Sequence, residues 1–147
     1  MSELLELYDD VIKEHDRKPR NFRVLDPASH KAEGYNPLCG DHYTVYIDVK
    51  DGAIQDISFQ GTGCAISKAS ASIMTQNLKG KSEAEAEQVF TRFHDLVTGH
   101  GVADDAMGKL VVFAGVAKFP LRVKCATLAW HTLRAALKGE QEAVSTE

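Results

Sequence analysis

Apolar residues recur at two different periods along the chain, and the shorter one, of two residues, predicts a β-hairpin. Between residues 43 and 59 apolar and polar residues alternate, as expected for half-buried β-strands. One face of the first strand is apolar and consists of Tyr43, Val45, Ile47 and Val49. Asp51-Gly52 interrupts the alternation and is typical of a two-residue hairpin turn. Ile57 and Phe59 then continue it in a second strand.

The second period is three to four residues, which predicts amphipathic helices. The predicted helices are residues 3–17, 64–80, 82–97 and 120–138. Ser82 and Glu85 have the spacing of a capping box, and Pro120 stands where a first helical turn tolerates proline. The apolar face of the last helix is expected to comprise Leu121, Cys125, Leu128, Thr132 and Ala135.

The remaining segments are predicted as connections. Residues 19–38 are rich in turn-forming residues and are expected to form a long connection with one short strand. Residues 98–109 predict an exposed loop, and residues 139–147 a polar, frayed tail. The apolar run 110–116 is too short for its period to distinguish a strand from a helix.

Composition limits the possible classes of protein. The chain has 147 residues, 44% of them hydrophobic, which is enough for one globular domain, 1–147, with its core within about residues 3–138. A net charge of −4 and scattered basic residues argue against a nucleic-acid surface. No apolar run reaches the ~20 residues that span a bilayer, and the acidic N-terminus does not resemble a signal peptide. A cytoplasmic location is expected.

The three cysteines are an odd number, which disfavours a disulfide framework in a reducing compartment. They could be buried core residues, metal ligands or redox-active thiols. Burial is the usual fate of a free cysteine. Their spacing alone does not decide between these roles, because 24 and 60 residues separate consecutive cysteines and there is no CxxC pair.

The surroundings of the cysteines suggest a site but do not by themselves decide against simple burial. Cys39 lies in the loop NPLCGD before the hairpin, and Asp41 is close enough for both side chains to reach one ion. Cys64 follows GTG at the start of a helix, where the helix dipole stabilises a thiolate. Cys125 lies near Arg122 and Lys124, although its helical phase fits core packing nearly as well.

Together, NPLCGD, GTGCAISKASASIMT and GVAKFPLRVKCATLAW resemble the three cysteine motifs of the U-type iron–sulfur cluster assembly proteins, which include IscU, SufU and the N-terminal domain of NifU. EHDRKPRNF near the N-terminus also fits this family, so that the resemblance covers about residues 3–138. The resemblance implies an α+β fold, with a small antiparallel sheet of about three strands packed against several helices.

Two departures from the IscU pattern make the chain more similar to the SufU branch. IscU proteins have a histidine directly before the third cysteine, where this chain has Lys124. The chain also has additional sequence around residues 86–108. By resemblance, Zn²⁺ is bound by Cys39, Asp41, Cys64 and Cys125, and Cys39 accepts persulfide sulfur from a SufS-type cysteine desulfurase. Arg122 and Lys124 would border the site.

The ligand types suit more than one cofactor, because thiolates bind zinc and iron–sulfur clusters equally well. The alternative is therefore a scaffold that assembles a [2Fe–2S] cluster, or holds iron, and passes the cluster to recipient proteins. A structural zinc domain that only docks partners is a third possibility. Neither His42, on the opposite side of its strand from Asp41, nor His131, about 240° around the helix from Cys125, is expected to be a ligand.

Overall fold

Three antiparallel strands form the sheet against which the helices pack. The computed structural model describes the backbone of residues 2–37, 39–100, 105–139 and 144–145, and their side chains except in 2–8, 105–109 and 144–145. The strands are β1 (His30–Asn36), β2 (Asp41–Lys50), β3 (Ala53–Thr62) and β4 (Val144–Ser145). The helices are α1 (Ser2–Arg17), α2 (Ala65–Leu78), α3 (Glu83–Val97), a 3-10 helix (Asp105–Lys118) and α4 (Pro120–Leu137). The α+β fold is the one expected from the sequence.

The predicted hairpin of β2 and β3 is confirmed. Val45 pairs with Phe59 and Ile47 with Ile57, and all four side chains are fully buried beneath the helices. At the turn, Asp51 and Gly52 have φ angles of 55° and 77°, and a type I′ turn requires positive φ at both central positions. The alternation of apolar and polar residues therefore sets which face of the sheet carries the core.

Strand β1 extends this sheet and ends at the loop that carries Cys39. It pairs antiparallel with β2, from His30 opposite Ile47 to Asn36 opposite Asp41. The chain thus reverses between Asn36 and Asp41, and the Cys39 amide donates to the Asn36 carbonyl across 3.2 Å. On the other edge of β1, the two residues of β4 pair in parallel with Gly34 and Tyr35, which the polar composition of the tail did not indicate.

The helices begin where the sequence predicts. Cys64 caps the N-terminus of α2, and Ser82 with Glu85 forms both hydrogen bonds of the predicted capping box of α3. Among the described side chains of α1, Val11, Ile12 and His15 form the buried face, as the helical spacing of residues 3–17 predicts; Leu4 and Tyr8, which share that spacing, lie outside the described side chains. Within the part of the chain that is described, no helix is both long enough and apolar enough to cross a membrane.

Two predictions about the second half of the chain were wrong. The segment 98–109 is only partly a loop, since the 3-10 helix begins at Asp105; residues 101–104 lie outside the described ones. This helix includes the ambiguous run 110–116, of which Leu110, Val112, Phe113 and Val116 are buried. Leu121 is 58% exposed instead of lying in the core, because the first turn of α4 extends beyond the core. Cys125, Leu128, Thr132 and Ala135 are buried as expected.

Gly34 allows β1 and α4 to approach closely, so its replacement by alanine should destabilise the protein. A Cβ atom there would overlap Thr132 Oγ1 and lie 3.1 Å from Leu128 Cδ1. We expect Gly34→Ala to lower the free energy of unfolding by about 1–3 kcal/mol, the usual cost of overpacking a core. Gly115→Ala is the control for urea denaturation, because a Cβ atom there would contact nothing within 4 Å. Equal midpoints for the two variants would contradict this assignment.

Candidate metal centre

Three elements bring the four predicted ligands to one end of the sheet. The β1–β2 loop carries Cys39 and leads to Asp41 at the start of β2, α2 begins beside Cys64, and Cys125 lies in the second turn of α4. Gly63 makes this convergence possible. A Cβ atom there would lie 2.5–2.6 Å from polar atoms of Tyr43, Asp41 and Ser67, so only glycine fits without displacing them.

Three of the four predicted ligands form a close cluster. Cys39, Asp41 and Cys125 each offer one ligand atom, and these atoms all lie within 4.8 Å of one another. The sulfurs of Cys125 and Cys39 are 3.3 Å apart. Two thiolates on a tetrahedral Zn²⁺ would be separated by about 3.8 Å, given Zn–S bonds of ~2.3 Å. Two sulfurs and a carboxylate at this spacing therefore fit a small thiophilic ion, provided that the distance between the two sulfurs increases slightly.

Cys64 lies outside that group of three but contacts one of its members. Its backbone N–H donates to Asp41 Oδ1 across 2.9 Å, and its sulfur accepts from the Ser67 backbone N–H across 3.5 Å. The neighbouring Cys125 thiol lowers the pKa of Cys64 to about 6, assisted by the Ser67 backbone N–H at the start of α2. The same pairing, together with burial, raises the pKa of Cys125. Of these two thiols, that of Cys64 therefore ionises at the lower pH.

The Asp41 carboxylate is buried and receives three hydrogen bonds from the protein. Oδ1 accepts from the Cys64 amide and from the Ser67 hydroxyl at 3.1 Å, and Oδ2 accepts from Asn36 Nδ2 at 3.1 Å. The Ser67 hydroxyl in turn lies 2.9 Å from the Tyr43 hydroxyl. The one Ser67 hydroxyl proton is directed at Asp41 Oδ1 or at the Cys64 carbonyl, so the Tyr43 hydroxyl, whose pKa is raised by burial, is the donor to Ser67. Asp41 is thus fixed in orientation at the centre of the cluster.

Sequence reasoning missed Asn36, Ser67 and Tyr43 as parts of this site. Among the serines of SKASAS, Ser70 is a small residue at a helix interface, and its hydroxyl donates to the Ala126 carbonyl of α4. Ser67 differs because it stands three residues after Cys64, in the first turn of α2. That spacing, and the asparagine that opens NPLCGD, were the only sequence signals that could have indicated these roles.

Loss of the Ser67 hydroxyl should leave Tyr43 without its hydrogen-bond acceptor. We expect Ser67→Ala to lower the free energy of unfolding of the metal-free protein by about 1–3 kcal/mol, the cost of an unpaired buried polar group. Adding Tyr43→Phe to that variant should restore part of the loss, because it removes the unpaired hydroxyl. Urea denaturation of the single and double variants gives the coupling free energy between Ser67 and Tyr43. Strict additivity would contradict the hydrogen bond.

The three cysteines differ in their access to solvent. Cys39 is exposed, Cys64 is half-buried and Cys125 is buried. Arg122, with its guanidinium over the Phe119 ring, is exposed on the first turn of α4, and the half-buried Lys124 directly precedes Cys125. Cys39 is therefore the thiol that a large partner can reach.

The histidines take no part in the cluster as far as the chain is described. His42 is exposed, stacks on Tyr35 and lies 3.5 Å from a Glu33 carboxylate oxygen. His131 packs against Phe90 and His94 of α3. Both observations agree with the expectation that neither side chain is a ligand.

Residues 7–126 match the family model of the NifU-like N terminal domain. The chain belongs to this family. The family was therefore correctly identified from the three cysteine motifs. Its relatives in this family include iron–sulfur cluster assembly proteins. This chain is accordingly assigned to iron–sulfur cluster assembly.

Relatives with two different names match almost equally well. The "iron–sulfur cluster assembly scaffold protein IscU" of Streptococcus pyogenes serotype M1 is 40% identical over 94% of this chain and 87% of its own length. The "zinc-dependent sulfurtransferase SufU" of Bacillus subtilis is 39% identical over 92% of both chains. Sequence identity thus places this NifU-like domain at the same distance from a scaffold and from a sulfurtransferase.

Solved structures have the same fold. A candidate iron–sulfur cluster assembly scaffold protein of the SUF system from Fervidobacterium islandicum AW-1 superposes with a TM-score of 0.84 at 32% identity, covering 90% of this chain and 97% of that one. A crystal structure of a hypothetical protein gives the same TM-score at 40% identity, covering 90% and 98%. The α+β architecture is therefore that of the IscU and SufU proteins.

Proposed function

We propose that this protein is a zinc-bound sulfur acceptor, which takes persulfide sulfur on Cys39 from a SufS-type cysteine desulfurase. Cys39, Asp41, Cys64 and Cys125 would hold the ion. The observation that carries the proposal is the contact between an exposed thiol and a buried cluster, since Cys39 Sγ lies 3.3 Å from Cys125 Sγ. A thiol in this position can be held by a metal and still be reached by a partner.

The chemistry follows from the positions of the side chains. A bound Zn²⁺ would keep the thiols deprotonated without adding redox activity of its own. The Cys39 thiolate attacks the outer sulfur of the desulfurase persulfide and forms a new S–S bond. The S–S bond of the donor breaks, and the desulfurase cysteine leaves as a thiolate. Cys39 then carries the persulfide, and no external oxidant or reductant is consumed.

Two features support the sulfur-acceptor function. Lys124 stands where IscU proteins have a histidine, so the proposed ligands are three sulfurs and a carboxylate. The described side chains bring Cys39, Asp41 and Cys125 together without an imidazole. The second feature is the additional sequence around residues 86–108, which makes the chain more similar to the SufU branch and includes most of α3. In addition, the Bacillus relative that is 39% identical is named as a zinc-dependent sulfurtransferase.

The second candidate is a scaffold that assembles a [2Fe–2S] cluster and transfers it to recipient proteins. The same three thiols favour it, because thiolates also hold iron–sulfur clusters. The Streptococcus relative that is 40% identical is named as a scaffold. The two functions differ in the resident metal and in the effect on the desulfurase.

One experiment distinguishes these functions. The protein is purified without added metal, its zinc and iron are measured, and it is then added to its cognate desulfurase with cysteine as substrate. The proposal predicts one zinc per chain and a strong increase in sulfide or sulfane sulfur production. Iron with stable visible absorbance after anaerobic reconstitution, and no stimulation of the desulfurase, would support the scaffold and contradict the proposal.

A further inference from the structure

Asn36, the last residue of β1, contacts two of the proposed ligands through one amide group. Its side chain is completely buried. Nδ2 lies 3.1 Å from Asp41 Oδ2 and 3.5 Å from Cys125 Sγ, so the amide donates to a carboxylate on β2 and to a sulfur on α4. The two hydrogens of the amide are therefore both directed at atoms that would bind the ion.

The chemistry of the neighbours fixes the orientation of this amide. If the Asn36 side chain were flipped, its carbonyl oxygen would face the carboxylate oxygen and the sulfur, which both act as acceptors there. Two adjacent acceptors repel each other in a buried site, whereas the N–H groups are attracted to both. The nitrogen must therefore face Asp41 and Cys125.

The remaining polar atom of Asn36 has no structural explanation. Oδ1 is buried and has no hydrogen-bond partner among the described residues. Such an atom costs about 1–3 kcal/mol, and most buried polar groups are paired. An asparagine that leaves its acceptor unpaired is not optimal for stability. Its two N–H groups, each directed at a proposed ligand, give it a functional explanation.

The hydrogen bonds also identify the oxygen of Asp41 that remains available. A carboxylate offers about four lone-pair positions, two on each oxygen. Oδ1 faces two donors, the Cys64 N–H and the Ser67 hydroxyl, and Oδ2 faces one, the Asn36 amide. Among the contacts described, Oδ2 is therefore the less occupied oxygen, through which Asp41 would bind an ion.

We propose that Asn36 is a positioning residue, which holds Asp41 Oδ2 and Cys125 Sγ at the spacing that the metal requires. The proposal rests on the metal site proposed above. Residues that hydrogen-bond to metal ligands commonly change the affinity 10- to 100-fold when they are replaced. Asn36 would act in the same way, but on two ligands from separate elements, so it would link the sheet to α4 at the ion.

The test uses Co²⁺ as a probe of the metal-free protein, because its absorption reports ligand type and geometry. Asn36→Leu keeps the approximate shape and removes both donors, and Asn36→Ser is a smaller variant that remains informative if the leucine variant does not fold. Thr132→Val is the matched control, since it removes a fully buried hydroxyl from the helix of Cys125 without changing shape. Co²⁺ affinity is measured against a competing chelator, and stability by urea denaturation.

We expect both Asn36 variants to bind Co²⁺ roughly 10- to 100-fold more weakly than the unmodified protein, with altered d–d and thiolate charge-transfer bands. Thr132→Val should keep the affinity and the spectrum, whatever it loses in stability. Affinity within twofold of the unmodified protein and an unchanged spectrum in a folded Asn36 variant would overturn the inference. If the unmodified protein itself binds no Co²⁺ through sulfur, the proposed metal site fails instead, and this inference fails with it.

Discussion

Cys39→Ser is expected to abolish the acceptance of sulfur from the desulfurase while leaving the protein folded. Cys39 is exposed and lies in the loop between β1 and β2, so its replacement leaves the core unchanged. A serine hydroxyl cannot replace a thiolate as the nucleophile, because it is hardly ionised at neutral pH. Mass spectrometry after incubation with desulfurase and cysteine should find one added sulfur on the Cys39 peptide of the unmodified protein and none on the variant.

The control for this prediction is His42→Ala, close to Cys39 in sequence. His42 is exposed and outside the cluster, so its variant should accept sulfur at the normal rate. Urea denaturation of the metal-free Cys39→Ser protein should give nearly the stability of the unmodified protein. Undiminished sulfane sulfur on Cys39→Ser, located on Cys64 or Cys125, would show that Cys39 is not the acceptor.

Asp41→Ala is expected to lower both the stability of the metal-free protein and its metal affinity. It removes the acceptor of three buried donors, the Cys64 amide, the Ser67 hydroxyl and the Asn36 amide. We expect a loss of about 2–4 kcal/mol in the metal-free protein, because unpaired buried donors and broken charge-assisted hydrogen bonds are costly. Metal affinity should fall at least ~10-fold, since a proposed ligand is also lost.

Asp41→Asn separates the charge of this side chain from its shape. An amide has one acceptor and one donor end, so it cannot accept from Asn36 and from Cys64 at the same time. The asparagine variant should therefore recover only part of the stability that alanine loses. Asp10→Asn, an exposed position on α1, controls for the change in net charge. If Asp41→Ala and Asp10→Asn were equally stable in urea, the proposed role of Asp41 would be refuted.

Local sequence patterns predicted the secondary-structure elements that position the site. The alternation from Tyr43 onward gave the hairpin and its buried face, because a one-residue shift would expose every apolar side chain. Gly63 before Cys64 indicated a helix start with close backbone contact, and Cys64 does cap α2. These features could be predicted because each depends on residues within a few positions of one another.

Features that depend on distant contacts could not be predicted in this way. Cys125 fitted core packing and metal binding equally well, and only the approach of α4 to the β1–β2 loop places its sulfur beside that of Cys39. Asn36 gave no periodic signal, because its role arises from contacts with residues 5 and 89 positions away. The helical conformation of residues 110–116 likewise depends on packing against α3, where Phe113 meets Phe93.

The most direct test of the proposed metal site is X-ray absorption at the zinc edge of the protein as purified. We expect one zinc per chain with three sulfur neighbours at about 2.3 Å and one oxygen at about 2.0–2.2 Å. Replacement of Cys39 by serine should reduce the sulfur count to two. A shell without sulfur, or a sulfur count unchanged in Cys39→Ser, would contradict the claim that Cys39, Asp41, Cys64 and Cys125 hold the metal.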